Sequence, residues 1–398
     1  MYANSKREFE VAAQPDVQLC ASPQAVHPKL GAPYVADLCE LAVDGLLAMF
    51  DPQSRLFCYR RKLTSTGMIN EGVSHRYTVM ALLGLLRWRA AGMQSPIDID
   101  SAVARLLEHL TWINGIGDLG LLLWLCAEGS AKHLRKLSSS VNVEHALHKL
   151  RDARERKTTE LAWFLAGIAH AVLAAPKEHS TIQNTASQTY ELLKRNQRQS
   201  GIFGHLARRR SLGGALRGHI GCFADQVYPI YAIARYAEAF DNELALEAAT
   251  SCADAICRLQ GPLGQWWWHY DSLDGHVLGK YPVFSVHQHG MAPMALLALG
   301  DTAKRDWSGP VYKGLRWISG SNELDFDMQD APNKVVWRDI QPGGNYTRYL
   351  ATALDVIGCQ RRLGVAENLR INFECRPYEL GWLLYAFAGH NANGFQPA

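Results

Sequence analysis

Two stretches of this 398-residue sequence repeat one pattern, QRQSGIF at residues 197–203 and QGPLGQW at residues 260–266. Each begins with a glutamine, has a glycine four positions later, and ends with an aromatic residue two positions after the glycine. Weaker versions of this pattern occur at Gln53 with Phe57 and at Trp337. A short element that recurs at the spacing of helix pairs indicates repeating helical hairpins that share one core.

Apolar residues at three- and four-residue spacings predict helices on both sides of these elements. The predicted helices span residues 33–50, 75–91, 98–112, 118–128, 143–156, 159–175, 181–196, 223–240, 243–260, 290–299, 310–319, 345–363 and 377–388. Strand-like alternation is weak throughout, and only residues 266–270 and 335–337 are candidates for short hairpin strands.

The predicted helices form about six consecutive pairs plus an extra helix at the C-terminus. Four connections inside pairs are long, at residues 51–74, 197–221, 261–289 and 320–344. Loops of this length are unusual in compact domains unless they are functional. Their recurrence before every second helix predicts a closed ring of helical hairpins with its chemistry on one rim.

The element at Gln260, Gly264 and Trp266 resembles the stabilising repeat of squalene-type cyclases and related prenyltransferase subunits. The paired helices resemble the α/α-toroid superfamily, which includes many carbohydrate enzymes, lanthionine cyclases and terpenoid cyclases. The resemblance implies an all-α, (α/α)6-type toroid in which the glutamine and the aromatic residue tie neighbouring helices together. The run DFDMQD at residues 325–330 departs from the DxDD proton donor of the cyclases, and no DDxxD is present.

Composition restricts the class of protein. The chain is 48% hydrophobic, and its 41 basic and 38 acidic residues are too balanced to indicate a nucleic-acid partner. Nine cysteines without a CxxC pair favour a reducing compartment. We expect a polar leader at residues 1–32, a single toroid domain at 33–398, no transmembrane segment, a cytoplasmic location, no cofactor and no bound metal. The oligomeric state stays open.

The densest candidate site lies at residues 264–291, where aromatic rings alternate with acidic, amide and imidazole groups. Flat aromatic rings bind the C–H faces of sugars, while polar groups bind the hydroxyls. The alternative is that the tryptophans plug the ring as structural anchors. The candidate catalytic residues here are Asp271, His287 and His289, and the candidate substrate-binding residues are Trp266, Trp267, Trp268, His269, Tyr281 and Gln288.

Other candidates lie where a long loop enters a helix. The catalytic candidates are Glu71, Asp225, Tyr378 and Glu379, and the substrate-binding candidates are His75, Arg76, Tyr228, Trp337, Arg338, Arg376 and Trp382. Carboxylates and imidazoles suit acid/base chemistry, and arginine suits carboxylate or phosphate. Helix capping and local ion pairs are the alternative explanation for each.

The leading hypothesis is an enzyme that acts on a carbohydrate or glycoconjugate, as a hydrolase, lyase or epimerase, by acid/base chemistry. Hydrolysis would require two carboxylates, whereas epimerisation or elimination would use an imidazole or tyrosine to remove a proton. A terpenoid cyclase or prenyl-handling enzyme is the first alternative. A non-catalytic helical-repeat binding protein is the second.

Overall fold

A computed structural model describes residues 32–143, 145–146, 157–176, 182–206, 218–343 and 368–388. Nearly all of the predicted leader, most of the predicted helix at 143–156 and all of that at 345–363 lie outside these residues.

The described residues contain twelve α-helices that alternate between an outer and an inner ring. The outer helices are α1 (Ala32–Met49), α3 (Ile99–Leu106), α5 (Ala131–Ser140), α7 (Gln183–Lys194), α9 (Glu243–Arg258) and α11 (Ser308–Ile318). The inner helices are α2 (His75–Ala90), α4 (Ile116–Gly129), α6 (Thr158–Ala174), α8 (Ala224–Phe240), α10 (Ala292–Ala303) and α12 (Pro377–Phe387). Each inner helix packs against the next, and α12 packs against α2. The predicted (α/α)6 toroid is therefore confirmed.

The inner and outer helices differ in how much of their surface is buried. In α4, every residue from Ile116 to Cys126 is buried, so its apolar run is almost continuous. Outer helix α9 instead buries one stripe, which includes Ala245, Ala249 and Cys252. A helix covered on all sides needs apolar residues all round, whereas a helix at the surface needs them on one face.

Paired glycines bring inner helices close together. A Cβ on Gly120 of α4 would overlap the backbone of α6, and one on Gly167 of α6 would overlap the backbone of α4. Gly84 of α2 and Gly381 of α12 have the same relation. Replacing either pair by larger residues would therefore push neighbouring inner helices apart.

Thirteen short strands lie in the described parts of the loops that run from an outer to an inner helix. They are β1 (Phe50–Asp51), β2 (Leu56–Phe57), β3 (Arg60–Thr64), β4 (Gly67–Glu71), β5 (Ile220–Cys222), β6 (His269–Asp271), β7 (His276–Gly279), β8 (Val283–Phe284), β9 (Gln329–Asp330), β10 (Val335–Val336), β11 (Asp339–Pro342), β12 (Leu369–Asn372) and β13 (Glu374–Cys375). They pair as β1–β2, β9–β10, β13–β3–β4, β5–β6–β7 and β12–β11–β8. The strand candidates at 266–270 and 335–337 were nearly right in position, but most of the strands were missed.

Three helix predictions need correction. Helix α5 was not predicted, because its short polar sequence buries only His133, Leu134 and Leu137. The predicted helix at 98–112 ends at Leu106, and a separate 3-10 turn follows at Leu110–Trp112. The C-terminal helix is not an extra element, because α12 is the inner partner of α11 and closes the ring against α2.

Among the described helices, none is both long enough and apolar enough to cross a lipid bilayer.

Candidate active site

The repeated glutamines bridge neighbouring helix pairs. The side-chain amide of Gln197 donates to the glycine carbonyl of its own element at 3.0 Å and to Ala248 of α9 at 2.8 Å. Gln260 repeats this geometry, with 3.0 Å to its own glycine carbonyl and 2.9 Å to Pro310 of α11. Each glutamine thus ties its loop to the next outer helix, as the resemblance implied.

The aromatic residues of the two elements are fully buried and fix the start of each loop. Phe203 and Trp266 are both 0% exposed. Two residues beyond them, at the same offset from the glutamine, come His205 and Trp268. Both of these residues belong to the candidate site described below.

A cavity of about 210 Å³ lies where the N-terminal ends of the inner helices meet. Its wall combines six aromatic rings, two guanidinium groups and one imidazole with smaller side chains. The lining residues are Arg76, Tyr77, Met80, Thr159, Trp163, Cys222, Ala224, Tyr228, Trp268, Phe284, His287, Met291, Arg338 and Tyr378.

Arg76, in the first turn of α2, is fixed by an ion pair and by an aromatic ring. Its Nε lies 2.6 Å from Oδ1 of Asp118, a buried residue in the first turn of α4. The second oxygen of Asp118 accepts the backbone N–H of Asn114 at 3.1 Å. The Arg76 guanidinium also lies 5.3 Å from the centroid of the Trp163 ring. One charged group of the cavity is therefore fixed in orientation.

Arg338 is the second fixed cation, and it is buried. It pairs with Glu379 in the first turn of α12, and its Nε lies 3.3 Å from Glu374 and 3.5 Å from Asp339. Its guanidinium also lies 5.0 Å from the centroid of the Phe284 ring. Burial raises the pKa of Glu379 to about 7, although Arg338 opposes the shift.

Asp225, in the first turn of α8, is fully buried directly behind the cavity wall. Its carboxylate accepts hydrogen bonds from the Thr159 hydroxyl at 2.8 Å and from the Cys222 backbone N–H at 3.0 Å, and it contacts Nδ1 of His205 at 2.9 Å. Burial alone would raise the pKa of Asp225, but the charge and hydrogen bonds of His205 and Thr159 bring it below its ordinary value. Because an ionised carboxylate only accepts, His205 donates from Nδ1, and in the neutral form of the ring Nε2 carries the lone pair.

Stacked aromatic groups fill the ring axis next to the cavity. The Trp382 indole N–H donates to the hydroxyl of cavity residue Tyr228 at 2.9 Å. Trp382 stacks on Trp124 at 5.4 Å, and Trp124 stacks on Tyr231 at 4.7 Å. The Tyr231 hydroxyl lies 2.6 Å from that of Tyr385. These contacts give the cavity a rigid floor.

The structure brings nine of the predicted site residues together. Six line the cavity, namely Arg76, Tyr228, Trp268, His287, Arg338 and Tyr378. Three others, Asp225, Glu379 and Trp382, lie behind the wall, where they contact Thr159, Arg338 and Tyr228 respectively. The remaining eleven do not line this cavity, although His269, Gln288 and Arg376 also contact lining residues.

Two of these belong to the entrance of α2. Glu71 is on β4 and pairs with Arg60 at 2.7 Å and Lys62 at 2.6 Å, which makes it part of a hairpin ion-pair cluster. His75 stacks on Trp112 at 5.5 Å. Neither residue lines the cavity, because their neighbours on the loop and on the 3-10 turn engage them instead.

The three adjacent tryptophans point in different directions, as an extended segment requires. Trp266 is buried and stacks on Phe223 at 5.5 Å. The indole N–H of Trp267 donates to the carbonyl of Leu259 at 3.0 Å. Only Trp268 lines the cavity. Trp266 and Trp267 therefore pack into the core through these contacts, and Trp268 faces the cavity.

His269 and Asp271 lie on β6. His269 is buried against Trp268, with ring centroids 5.1 Å apart. Among the residues that the structure describes, Asp271, Asp274 and His276 are the one group of three placed to hold a metal ion, with ligand atoms within 4.8 Å of one another. Asp271 also accepts the backbone N–H of Leu273 at 2.8 Å, so it braces the β6–β7 turn.

Three further candidates are buried in the core. The Gln288 side-chain amide donates to the carbonyl of Phe284 at 3.2 Å. His289 is buried, and this burial lowers its pKa to about 3, so it is neutral. Trp337 packs edge-on against Phe373 at 5.0 Å. His287 lines the cavity and His289 does not, although both lie in the π-helical turn His287–Met291 before α10.

Tyr281 and Arg376 line a second cavity, next to the first. The Tyr281 hydroxyl donates to Glu323 at 3.1 Å. Arg376 pairs with Glu374 at 2.7 Å and donates to the hydroxyl of Tyr77 at 3.0 Å.

Several site residues were missed by the sequence analysis. Thr159 and Trp163 lie in the first two turns of inner helix α6, whose buried residues are mainly apolar. His205 was missed because it is an isolated histidine in a long loop. Its position, eight residues after Gln197 as Trp268 is eight after Gln260, is the signal that could have found it.

The fold and the site together define the class, an α/α toroid with an aromatic cavity at the end where the long loops enter. Two solved structures of unsaturated glucuronyl hydrolases share this fold. An unsaturated glucuronyl hydrolase specific for heparin is 13% identical, with a TM-score of 0.59 over 90% of this chain and 96% of that one. An unsaturated glucuronyl hydrolase responsible for glycosaminoglycan degradation, from Bacillus sp. GL1, is 14% identical, with a TM-score of 0.54 over 89% and 94% of the two chains.

A third structure with this fold is a possible GH105 family member from Klebsiella pneumoniae. It is 12% identical, with a TM-score of 0.59 over 96% of this chain and 98% of the other. No protein-family model matches the sequence, and no curated protein matches it either. At these identities the likeness establishes the fold.

Proposed function

We propose that this protein is an enzyme that acts on a carbohydrate bearing a carboxylate group, by acid/base chemistry in the aromatic cavity. The observation that carries the proposal is the meeting of six aromatic rings and two oriented guanidinium groups around one space of about 210 Å³, with the Asp225–His205 pair directly behind its wall. Aromatic faces bind sugar rings, and guanidinium groups bind carboxylates.

Arg76 and Arg338 are the groups that bind the substrate carboxylate in this proposal. Asp118 fixes the first guanidinium, and Glu379 with its neighbours fixes the second. Side chains held in advance lose less conformational entropy on binding, so the paired carboxylates increase affinity even though they partly offset the charge.

The Asp225–His205 pair supplies the acid/base group. Ionised Asp225 holds His205 with Nδ1 protonated and stabilises the imidazolium that forms when Nε2 takes a proton. In hydrolysis, Nε2 would take the place of the two carboxylates that most glycosidases use, since it would accept a proton from the attacking water and return it to the leaving oxygen. In elimination or epimerisation, it would accept a carbon-bound proton. A hydrolase, a lyase and an epimerase can all use this pair.

The shared fold supports the choice of an acidic sugar, since two of the structures with this fold are glucuronyl hydrolases. The cyclase alternative finds less support, because none of Asp325, Asp327 and Asp330 is among the described residues that line the cavity. The two arginine side chains in the wall also suit a charged sugar better than a hydrocarbon chain.

The proposal is tested by incubating the protein with unsaturated uronyl oligosaccharides, aryl uronides and the matching neutral aryl hexosides, and separating the products by chromatography. We expect turnover of uronyl substrates only. Asp225→Asn should lower kcat by about 10²-fold or more, the range for loss of acid/base assistance. Asp241→Asn is the matched control, because Asp241 caps α8 in a left-handed conformation that asparagine also adopts.

Two results would contradict the proposal. One is turnover of the neutral hexosides alone. The other is a folded Asp225→Asn protein with unchanged turnover of the uronyl substrate.

A further inference from the structure

We infer that the β6–β7 hairpin binds one divalent transition-metal ion of the Zn²⁺ type through Asp271, Asp274 and His276. The possible ligand atoms of these three side chains lie within 4.8 Å of one another. The proposed acid/base chemistry uses none of them, so the metal site is independent of the proposed function. It differs from the sequence-based expectation of no bound metal.

The hairpin itself brings the three side chains together. Asp271 ends β6 and is directly opposite His276, which begins β7. Directly opposite residues of an antiparallel pair project from the same face of the sheet. Asp274 lies in the turn that connects the two strands. This turn is also held from outside, because the Ser200 hydroxyl donates to the carbonyl of Ser272 at 2.8 Å.

Asp271 presents one carboxylate oxygen that lacks a hydrogen-bond donor. The residue is 8% exposed, and its Oδ1 accepts the backbone N–H of Leu273 at 2.8 Å, which fixes the orientation of the carboxylate. Among the described residues, none donates a hydrogen bond to Oδ2, which instead lies 3.9 Å from Nε2 of His219. That distance is too long for a hydrogen bond. A nearly buried carboxylate is costly unless it is paired or coordinates a metal ion.

The separations are those of ligands around one ion. Imidazole nitrogens and carboxylate oxygens bind Zn²⁺ at about 2.0–2.2 Å, so two ligands of a tetrahedral ion are about 3.4 Å apart. Ligands on opposite sides of an octahedral ion are about 4.2 Å apart at the same bond length. The 3.9 Å between Asp271 and His219 lies between these values, so His219 offers a second imidazole beside the ion.

The mixture of ligand types selects the class of ion. Imidazole suits zinc, copper, iron and nickel, whereas calcium and magnesium prefer sites built from oxygen alone. His276 supplies a nitrogen within the cluster, and His219 lies at its edge. The cluster therefore favours Zn²⁺ over Ca²⁺ or Mg²⁺.

The position of the cluster indicates a structural ion. None of its three members is among the described residues that line the aromatic cavity. The ion would tie β6 to β7, and β5 runs beside β6 with Cys222 opposite His269. Cys222 and Trp268, the residue before β6, both line the cavity. Metal binding would therefore stabilise the small sheet that forms this part of the cavity wall.

Isothermal titration calorimetry of the untagged, EDTA-treated protein with ZnCl₂ and CaCl₂ tests the site. We expect one equivalent of Zn²⁺ to bind with a Kd of about 10 μM or lower, and Ca²⁺ to bind at least a hundredfold more weakly. His276→Ala and Asp274→Ala should each raise the Kd for Zn²⁺ at least tenfold. Zn²⁺ should also raise the Tm of the wild type more than that of either variant.

The variants are chosen so that loss of binding does not simply report loss of the fold. Asp274 is exposed and His276 is half-buried, so neither substitution removes a core side chain. His109→Ala, at an exposed histidine outside the cluster, is the matched control and should leave the Kd for Zn²⁺ unchanged.

Three results would overturn the site. The first is an unchanged Kd for Zn²⁺ in His276→Ala or Asp274→Ala, because the ion would then bind elsewhere on the chain. The second is the absence of saturable binding up to about 1 mM Zn²⁺. The third is Ca²⁺ binding as tight as that of Zn²⁺. None of these measurements involves a sugar, so their outcome leaves the proposed function untouched.

Discussion

Replacing Gly264 with alanine tests whether the repeated glutamine elements hold the ring together. Gly264 has φ = +101°, and an added Cβ would overlap the carbonyl oxygen of Lys313 in α11. A side chain at such a positive φ costs about 1–2 kcal/mol. Displacing the packed backbone of α11 adds about 1–3 kcal/mol. We therefore expect Gly264→Ala to lower the free energy of unfolding by about 2–5 kcal/mol, measured by urea denaturation.

Two control variants separate the two contributions. Gly67 also has a positive φ, +110°, but an added Cβ there meets no atom within 4 Å, so Gly67→Ala should cost only about 1–2 kcal/mol. Gly309 lies in α11, again with no atom within 4 Å, so Gly309→Ala should leave stability unchanged or raise it slightly. If Gly264→Ala costs no more than Gly67→Ala, then the contact with α11 does not constrain the ring, and this reasoning is refuted.

Two further predictions concern the site. His205→Gln should lower kcat on a uronyl substrate by about 10²-fold or more with little change in KM, because it removes the acid/base group but not the binding groups. An unchanged kcat would show that the Asp225–His205 pair is purely structural. Glu379 titrates near 4.5 when exposed and at about 7 when buried here, so the folded protein binds its proton more tightly. The contribution of this proton to the free energy of unfolding is fully present below about pH 4.5, and it is lost as the pH rises to about 7. Denaturation across this interval should show a steeper loss in wild type than in Glu379→Gln, and equal slopes would count against the raised pKa.

The helices were predictable from sequence because each kind leaves a local signal. The continuous apolar run of α4 and the single apolar stripe of α9 follow directly from their positions in the ring. The glutamine elements were also visible, because Gln197 and Gln260 make the same two hydrogen bonds at the same offsets.

The strands were less predictable, because they are two to five residues long and several of them pair with strands that are distant in sequence. Cys375 of β13, for example, pairs with Arg61 of β3. No local periodicity indicates such a pairing. The long loops were expected to carry function, but the small sheets that shape them depend on tertiary contacts.

The candidate site was partly predictable, since the dense polar and aromatic segment indicated Trp268 and His287. Composition did not show which neighbours face the cavity, so Trp266 and Trp267 were included although they are anchors. His205 was overlooked because its importance depends on its contact with Asp225, which the folded chain alone reveals.

A crystal structure of the wild-type protein soaked in D-glucuronic acid tests most directly whether the aromatic cavity binds an acidic sugar. We predict a sugar ring against the aromatic wall, with its carboxylate within hydrogen-bonding distance of the Arg76 or Arg338 guanidinium. Glucuronic acid bound only outside this cavity, or a cavity without sugar at a saturating concentration, would contradict the account.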